Sequence, residues 1–174
     1  REGIETNWLH LYVKDDLFSR TAKSSAEQVR GFNQSKLGRQ SHVTLDSFIS
    51  VKVVVSSIRD WAHLLRKGVS MEIQDALPRL GGLDLWPFFR DDWGKSFFGV
   101  AAMSNVLSFN LFVVAFRNVE KQRLGFYLLE NQGWEYGMLQ AWKCNQHENI
   151  VGCAHSTVRF WDLRYFFDPR HYHL

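Results

Sequence analysis

The sequence predicts an α+β fold in a single domain over residues 1–174, an antiparallel β-sheet packed against two short helices that follow the first long strand. Three observations lead there. The 174 residues are 45% hydrophobic and include 14 Phe, 7 Trp and 5 Tyr, enough apolar bulk for one core and too little chain for two. Residues 43–55 are dominated by β-branched side chains, the signature of a long strand. Later apolar runs are joined by short polar links, the pattern of hairpins. Only 3 Pro and 12 Gly occur, which excludes collagen-like and low-complexity chains.

In chain order, Trp8 to Val13 form a short strand-like run ended by Lys14, Asp15 and Asp16. Residues 17–42 read as a basic mobile segment with at most one short helix, for which Ser24 and Glu27 supply a capping box. Residues 43–55 follow as the first long strand, with Phe48, Ser50, Lys52 and Val54 alternating against Ile49, Val51, Val53 and Val55. Ser57 then caps a helix carrying Ile58, Trp61, Leu64 and Leu65 at helical spacing, closed by Gly68. A second short helix runs from Ser70 to Leu77 and stops at Pro78. Residues 83–100 are aromatic and broken by Gly81, Gly82 and Pro87, so they read as a loop with turns. Strands are expected over 106–116, 124–130 and 134–142, linked by 118–122 and 131–133 into an antiparallel meander, with further strands over 150–154 and 158–167.

Two cysteines are too few for a disulfide scaffold, and no charged and apolar leader opens the chain, which favours a reducing, intracellular setting. The start at Arg1 without Met points to a trimmed or processed end. The apolar runs fall short of the roughly 20 residues that span a bilayer, so membrane contact is expected to be peripheral. Asn33, Gln34 and Ser35 match a glycosylation sequon by accident.

Chemistry is sparse. Cys144, His147, Cys153 and His155 place four zinc-type ligands within twelve residues, yet the spacing matches no common finger, and buried cysteines beside surface histidines explain it as well. Activation of either thiol by a neighbouring imidazole is a further option. Asp84, Asp91 and Asp92 form either a carboxylate cluster or a charged loop. The strand-like Ser156 to Arg164 resembles a propeller blade, but the motif does not recur. G-x-S-x-G, H-E-x-x-H, P-loop and G-x-G-x-x-G patterns are absent. No cofactor is indicated.

Charge is uneven. The whole chain carries +3, while residues 17–42 set Arg20, Lys23, Arg30, Lys36 and Arg39 against the single acid Glu27. That stretch is either a solvated connector or an arm that meets phosphates or a partner. The aromatic excess at Trp86, Phe88, Phe89 and Trp93 either packs into the core or marks a contact surface. At the C-terminus Arg159, Trp161, Arg164, Tyr165, Phe167, Arg170, His171, Tyr172 and His173 interleave rings with bases, either as a packed strand or as a stacking surface.

The strand from Phe48 to Val55 with its Ser-Val-Lys sequence, leading into the helix around Trp61 and a second short helix, resembles the core of rhabdovirus matrix proteins over residues 46–80. The size and basic stretch are similar to the shorter, plant-infecting type. The resemblance implies a non-enzymatic viral structural protein of the virion and host cytoplasm, one that self-associates and bridges ribonucleoprotein to the inner face of a membrane envelope. Under it, Arg20, Lys23, Arg30, Lys36 and Arg39 face nucleocapsid or anionic lipid, and Trp86, Phe88, Phe89 and Trp93 make the self-association or membrane contact. The chain lacks P-P-x-Y, P-T-A-P and a Lys-rich N-terminal tail, so recruitment of budding machinery is not implied. The alternatives are a nucleic-acid- or peptide-binding α+β module using the aromatic, basic C-terminal sheet, and a Cys/His enzyme with or without zinc.

Overall fold

Thr6–His10 (β1) and Gln40–Thr44 (β2) lie side by side in parallel, with Trp8 opposite His42 and Leu9 opposite Val43. Parallel neighbours need a crossover, and the helix Ala22–Gln34 (α1) lies between them in the chain. The computed structural model describes residues 4–14, 21–34, 39–71 and 83–154. The helix begins earlier than the expected box at Ser24. Thr21 Oγ1 accepts the Ser24 N–H at 3.1 Å, and Ser24 Oγ accepts the Thr21 N–H at 3.2 Å, a reciprocal cap three residues upstream.

The expected long strand over 43–55 does not form. The chain leaves the sheet at Thr44, makes one 3₁₀ turn over Leu45–Phe48, and enters the helix Val51–Ser70 (α2). Ser50 is the reason: its Oγ accepts the Val53 N–H at 3.3 Å and starts the helix seven residues before Ser57. β-branched residues disfavour a helix by only a few tenths of a kcal/mol each, which tertiary packing readily offsets. Val53, Ser57 and Gly68 are the buried positions, spaced as a helix face and not as alternate strand positions.

Two other expected irregular or extended stretches are helical as well. Trp86–Phe98 (α3) places Pro87 in the first turn, where a missing N–H costs nothing, and Asp84 Oδ1 accepts the Trp86 N–H at 3.0 Å. Gly99 separates it from Val100–Arg117 (α4), which replaces the strand expected over 106–116. A run that is apolar all round has no period to distinguish the two states, and 18 residues suit a core helix far better than a strand. That length and composition would also let α4 cross a membrane. Leu111, Phe112 and Ala115 are its residues in the core cluster.

Strands are found where expected at Leu124–Leu129 (β3) and Asn149–Ala154 (β4), but between them Gly133–Cys144 is a helix (α5), not a strand over 134–142. The links 118–122 and 131–133 therefore join strands to helices, and β4 runs parallel to β3, with Gly125 opposite Ile150 and Tyr127 opposite Gly152. The antiparallel sheet with two short helices is thus corrected to an α+β architecture that, among the described residues, has five α-helices and two separate two-stranded parallel sheets. The expected helix over 70–77 and the strand over 158–167 lie outside the described residues.

Close approach of α5 to α4 depends on small residues every fourth position. A Cβ on Gly133 would sit 2.7 Å from Asn105 Nδ2, one on Gly137 would sit 3.3 Å from Phe109 Cβ, and Ala141 is fully buried. Phe112 stacks on Phe116 of its own helix at 5.7 Å and, across this seam, on Trp134 at 6.1 Å. Helix α2 joins the same core through Val53 and through Asp60 Oδ2, which accepts from Asn110 Nδ2 at 3.1 Å. Its distal half meets α3 where Trp61 Nε1 donates to Phe97 O at 3.1 Å and the Phe97 ring lies against Gly68.

Candidate functional site at the carboxyl edge of β3 and β4

The residues singled out from the sequence are scattered. Lys23 and Arg30 are exposed two turns apart on α1, and Arg39 is exposed before β2, while Arg20 and Lys36 lie outside the described residues. On α3 the aromatic set divides, Phe88 and Phe89 being 72% and 50% exposed and Trp86 and Trp93 half-buried. Asp84 is spent as a cap, and Asp91 and Asp92 make exposed ion pairs with Arg90 and Lys95. The rings and bases from Arg159 onward are outside the described residues.

The Cys/His set is not drawn together either. Cys144 and Cys153 are exposed free thiols, and His155 lies outside the described residues. His147 is buried, and both ring nitrogens are committed: Nδ1 accepts the Gln122 N–H at 3.0 Å, and Nε2 donates to Phe116 O at 3.0 Å. Those two backbone partners fix the neutral Nε2–H tautomer. Phe116 meets the ring edge-on at 5.7 Å and Trp142 lies 4.6 Å away, so His147 is a structural pin between α4 and the start of β4. Among the described residues no group of three or more His, Cys, Asp or Glu could hold a metal ion.

A more organised place is one that the sequence reading treated as a mere polar link. Residues 130–132 connect the carboxyl end of β3 to the N-terminus of α5. Glu135, in the first turn, is only 3% exposed, and its Oε1 accepts the N–H of Glu130 at 2.9 Å and that of Gln132 at 2.8 Å. A buried carboxylate held by two charge-assisted hydrogen bonds fixes the loop. The residue between those donors, Asn131, takes a left-handed φ of 58°, one of two non-glycine positive values in the described chain. Asparagine tolerates that region better than other non-glycine residues, at some cost in backbone energy. Its amide Nδ2 is shielded from solvent and has no hydrogen-bond partner.

Around this loop the site is aromatic. Tyr127 on β3 stands over Gly152 of β4, where a Cβ would meet its hydroxyl at 2.8 Å. Burial raises the Tyr127 phenol above its usual range, and the nearby Glu135 and Tyr136 add to that. Tyr136 is exposed on the first turn of α5, and the exposed Cys153 and Ala154 end β4 at the same edge. These groups gather at the carboxyl ends of the two parallel strands, around the 130–132 loop. The signal available in the sequence was Gln132 three residues before Glu135, a capping pair that argues for a helix after residue 132.

Comparison with known proteins finds no family model, no curated protein and no solved structure that matches the chain.

Proposed function

We propose that the chain is a ligand-binding module whose site is the 130–132 loop at the carboxyl edge of β3 and β4. The observation that carries this reading is the Asn131 amide, unpartnered and shielded in a loop that Glu135 holds in an unfavourable backbone conformation. A buried donor without a partner is costly, by about 1–3 kcal/mol, and a bound molecule that accepts from it recovers that cost. Residues 130–135 contain amides and carboxylates but no Lys or Arg, the Trp134 indole being packed on Phe112. Such a lining suits an uncharged or amino-bearing molecule with several hydroxyl groups better than a phosphate, because amides donate to and accept from neighbouring hydroxyls in one plane.

The test follows backbone amide shifts of the full chain on titration with neutral sugars and amino sugars, with nucleoside monophosphates as the opposing class. Shifts confined to 130–136 and to the end of β4 are expected from the first class. Asn131→Gly keeps the left-handed backbone without strain and removes the amide, so it should fold as the parent does and lose those shifts. Binding unchanged in Asn131→Gly, or no response at this loop to any probe, overturns the reading.

A second reading is favoured by a different surface. Val51, Val54, Val55 and Ile58 are all exposed along one side of α2, and Phe88 and Phe89 are exposed on α3. Exposed apolar surface of this kind marks interaction sites. It supports the structural-protein reading, in which the chain self-associates or meets a membrane, with Lys23 and Arg30 turned toward ribonucleoprotein or anionic lipid. The strand that carries the matrix-protein resemblance is helical from Val51 onward. Replacing Phe88 and Phe89 by Ser should reduce particle size in light scattering, and a parental profile removes this reading.

A further inference from the structure

The first parallel pair carries a feature of its own, in a different part of the fold from the loop at Asn131. Its face toward α1 is built from Trp8, His10 and His42. His10 Nε2 and His42 Nδ1 are 3.0 Å apart, and their rings stack at 5.2 Å. His42 Nε2 lies 3.3 Å from Gln40 Oε1, so the His42 proton sits on Nε2 and its Nδ1 accepts from His10 Nε2–H. Trp8 stacks flat on His42, with 7° between the planes.

Helix α1 is fastened to this pair through Asn33 and Phe32. Asn33 Nδ2 donates to His42 O at 2.7 Å, and the His42 N–H donates to Asn33 Oδ1 at 2.8 Å. The Phe32 ring lies 5.3 Å from His42 and 6.3 Å from His10. We infer that His10 and His42 form an acid-sensitive latch that holds α1 onto the first parallel pair and releases it when both imidazoles are charged.

The chemistry is simple. Two neutral rings share one hydrogen bond, and a first proton is accommodated on His10 Nδ1 with that bond unchanged, or on His42 Nδ1 if His10 shifts to its other tautomer and accepts from it. A second proton leaves two N–H donors facing each other at 3.0 Å with no acceptor between them, so the rings must part. Parting them withdraws the surface on which Phe32 rests and displaces the His42 backbone from Asn33. No compensating acid faces the pair among the described residues. β1 and β2 contain no charged residue besides these histidines, the α1 charges Lys23, Glu27 and Arg30 are exposed, and Arg39 is exposed ahead of β2. Burial, and then the neighbouring His42, lower the proton affinity of His10.

The experiment uses the full chain and reads His10 and His42 by long-range nitrogen–proton spectra, with amide hydrogen exchange corrected for intrinsic rate. Two separated titration steps are expected, and at pH 5 the α1 amides should exchange severalfold faster than at pH 7.5 while those of α5 do not change. His10→Gln keeps a neutral donor toward His42 and removes the second charge, so its α1 exchange should lose the pH dependence. If that variant does not fold, His42→Gln is read in the same way, and the parent titration alone remains decisive. Independent titration of the two rings near the ordinary histidine value, equal α1 protection at both pH values, or a parental response in His10→Gln overturns the proposal.

Discussion

The two β–α–β units share a topology and differ in what fills the space between helix and strands. In β3–α5–β4 the filling is apolar and tight, with Trp142 over Gly125 and Met138 and Ala141 buried beneath α4. In β1–α1–β2 it is a stack of Trp8, His10, His42 and Phe32, with Val29 the buried residue of the helix. A parallel pair needs a crossover helix on its face, but it does not prescribe how the helix is held. One unit is held by shape and desolvation, which proton uptake below neutrality does not touch. The other is held in part by a hydrogen-bonded pair of imidazoles, which proton uptake disrupts.

The largest expected effect breaks the shape-held unit. Phe112 is 1% exposed and links α4 to Trp134 of α5, so Phe112→Ala should lower unfolding free energy by about 3–5 kcal/mol in urea titrations. A loss below about 1 kcal/mol would mean that α5 does not depend on this seam. Next, glycines separate the two units. Gly125→Val drives a side chain into the Trp142 ring, whose Cη2 is 2.7 Å from an added Cβ, and should cost about 1–3 kcal/mol. Gly31→Ala on α1 meets nothing within 4 Å and should stabilise by up to about 1 kcal/mol. Equal effects at the two positions would erase the contrast in packing.

The smallest effect is the dependence on pH, and its sign differs between the units. His10 binds protons less well folded than unfolded, so its contribution is complete above the unfolded value of 6.5 and is lost as pH falls from there through the folded value. Tyr127 is raised above 10.0 in the fold, so its contribution is complete below 10.0 and is lost as pH rises through the folded value. Chemical denaturation followed by local amide probes should therefore show β1–α1–β2 weakening on the acid side and β3–α5–β4 on the alkaline side. A uniform response across both units would contradict the division.

How much of this was legible depended on whether a segment carried its own boundary. The strands at β3 and β4 were found because polar links bracket short alternating runs. Residues 51–55 read as a strand because a row of valines satisfies strand propensity, whereas the helix rests on the Ser50 hydroxyl cap together with the packing of Val53 and Ser57. Residues 106–116 and 134–142 failed for another reason: a segment apolar on several sides fits strand and helix alike until its neighbours are known. The candidate site was not visible as a site, because the role of Glu135 depends on burial and that of Asn131 on a backbone angle.

By itself the sequence determined that the chain builds a core from an unusual load of aromatic residues, that its basic charge is concentrated near the N-terminus, and where its apolar segments break. These are properties of composition and local order. Tertiary structure decided that 51–70, 86–98, 100–117 and 133–144 coil as helices, that both strand pairs run parallel, and that two histidines 32 residues apart share a hydrogen bond. The physical reason is that local propensities differ by tenths of a kcal/mol, whereas burying a side chain against a particular neighbour is worth roughly 1.5–3 kcal/mol, so the neighbour determines the outcome.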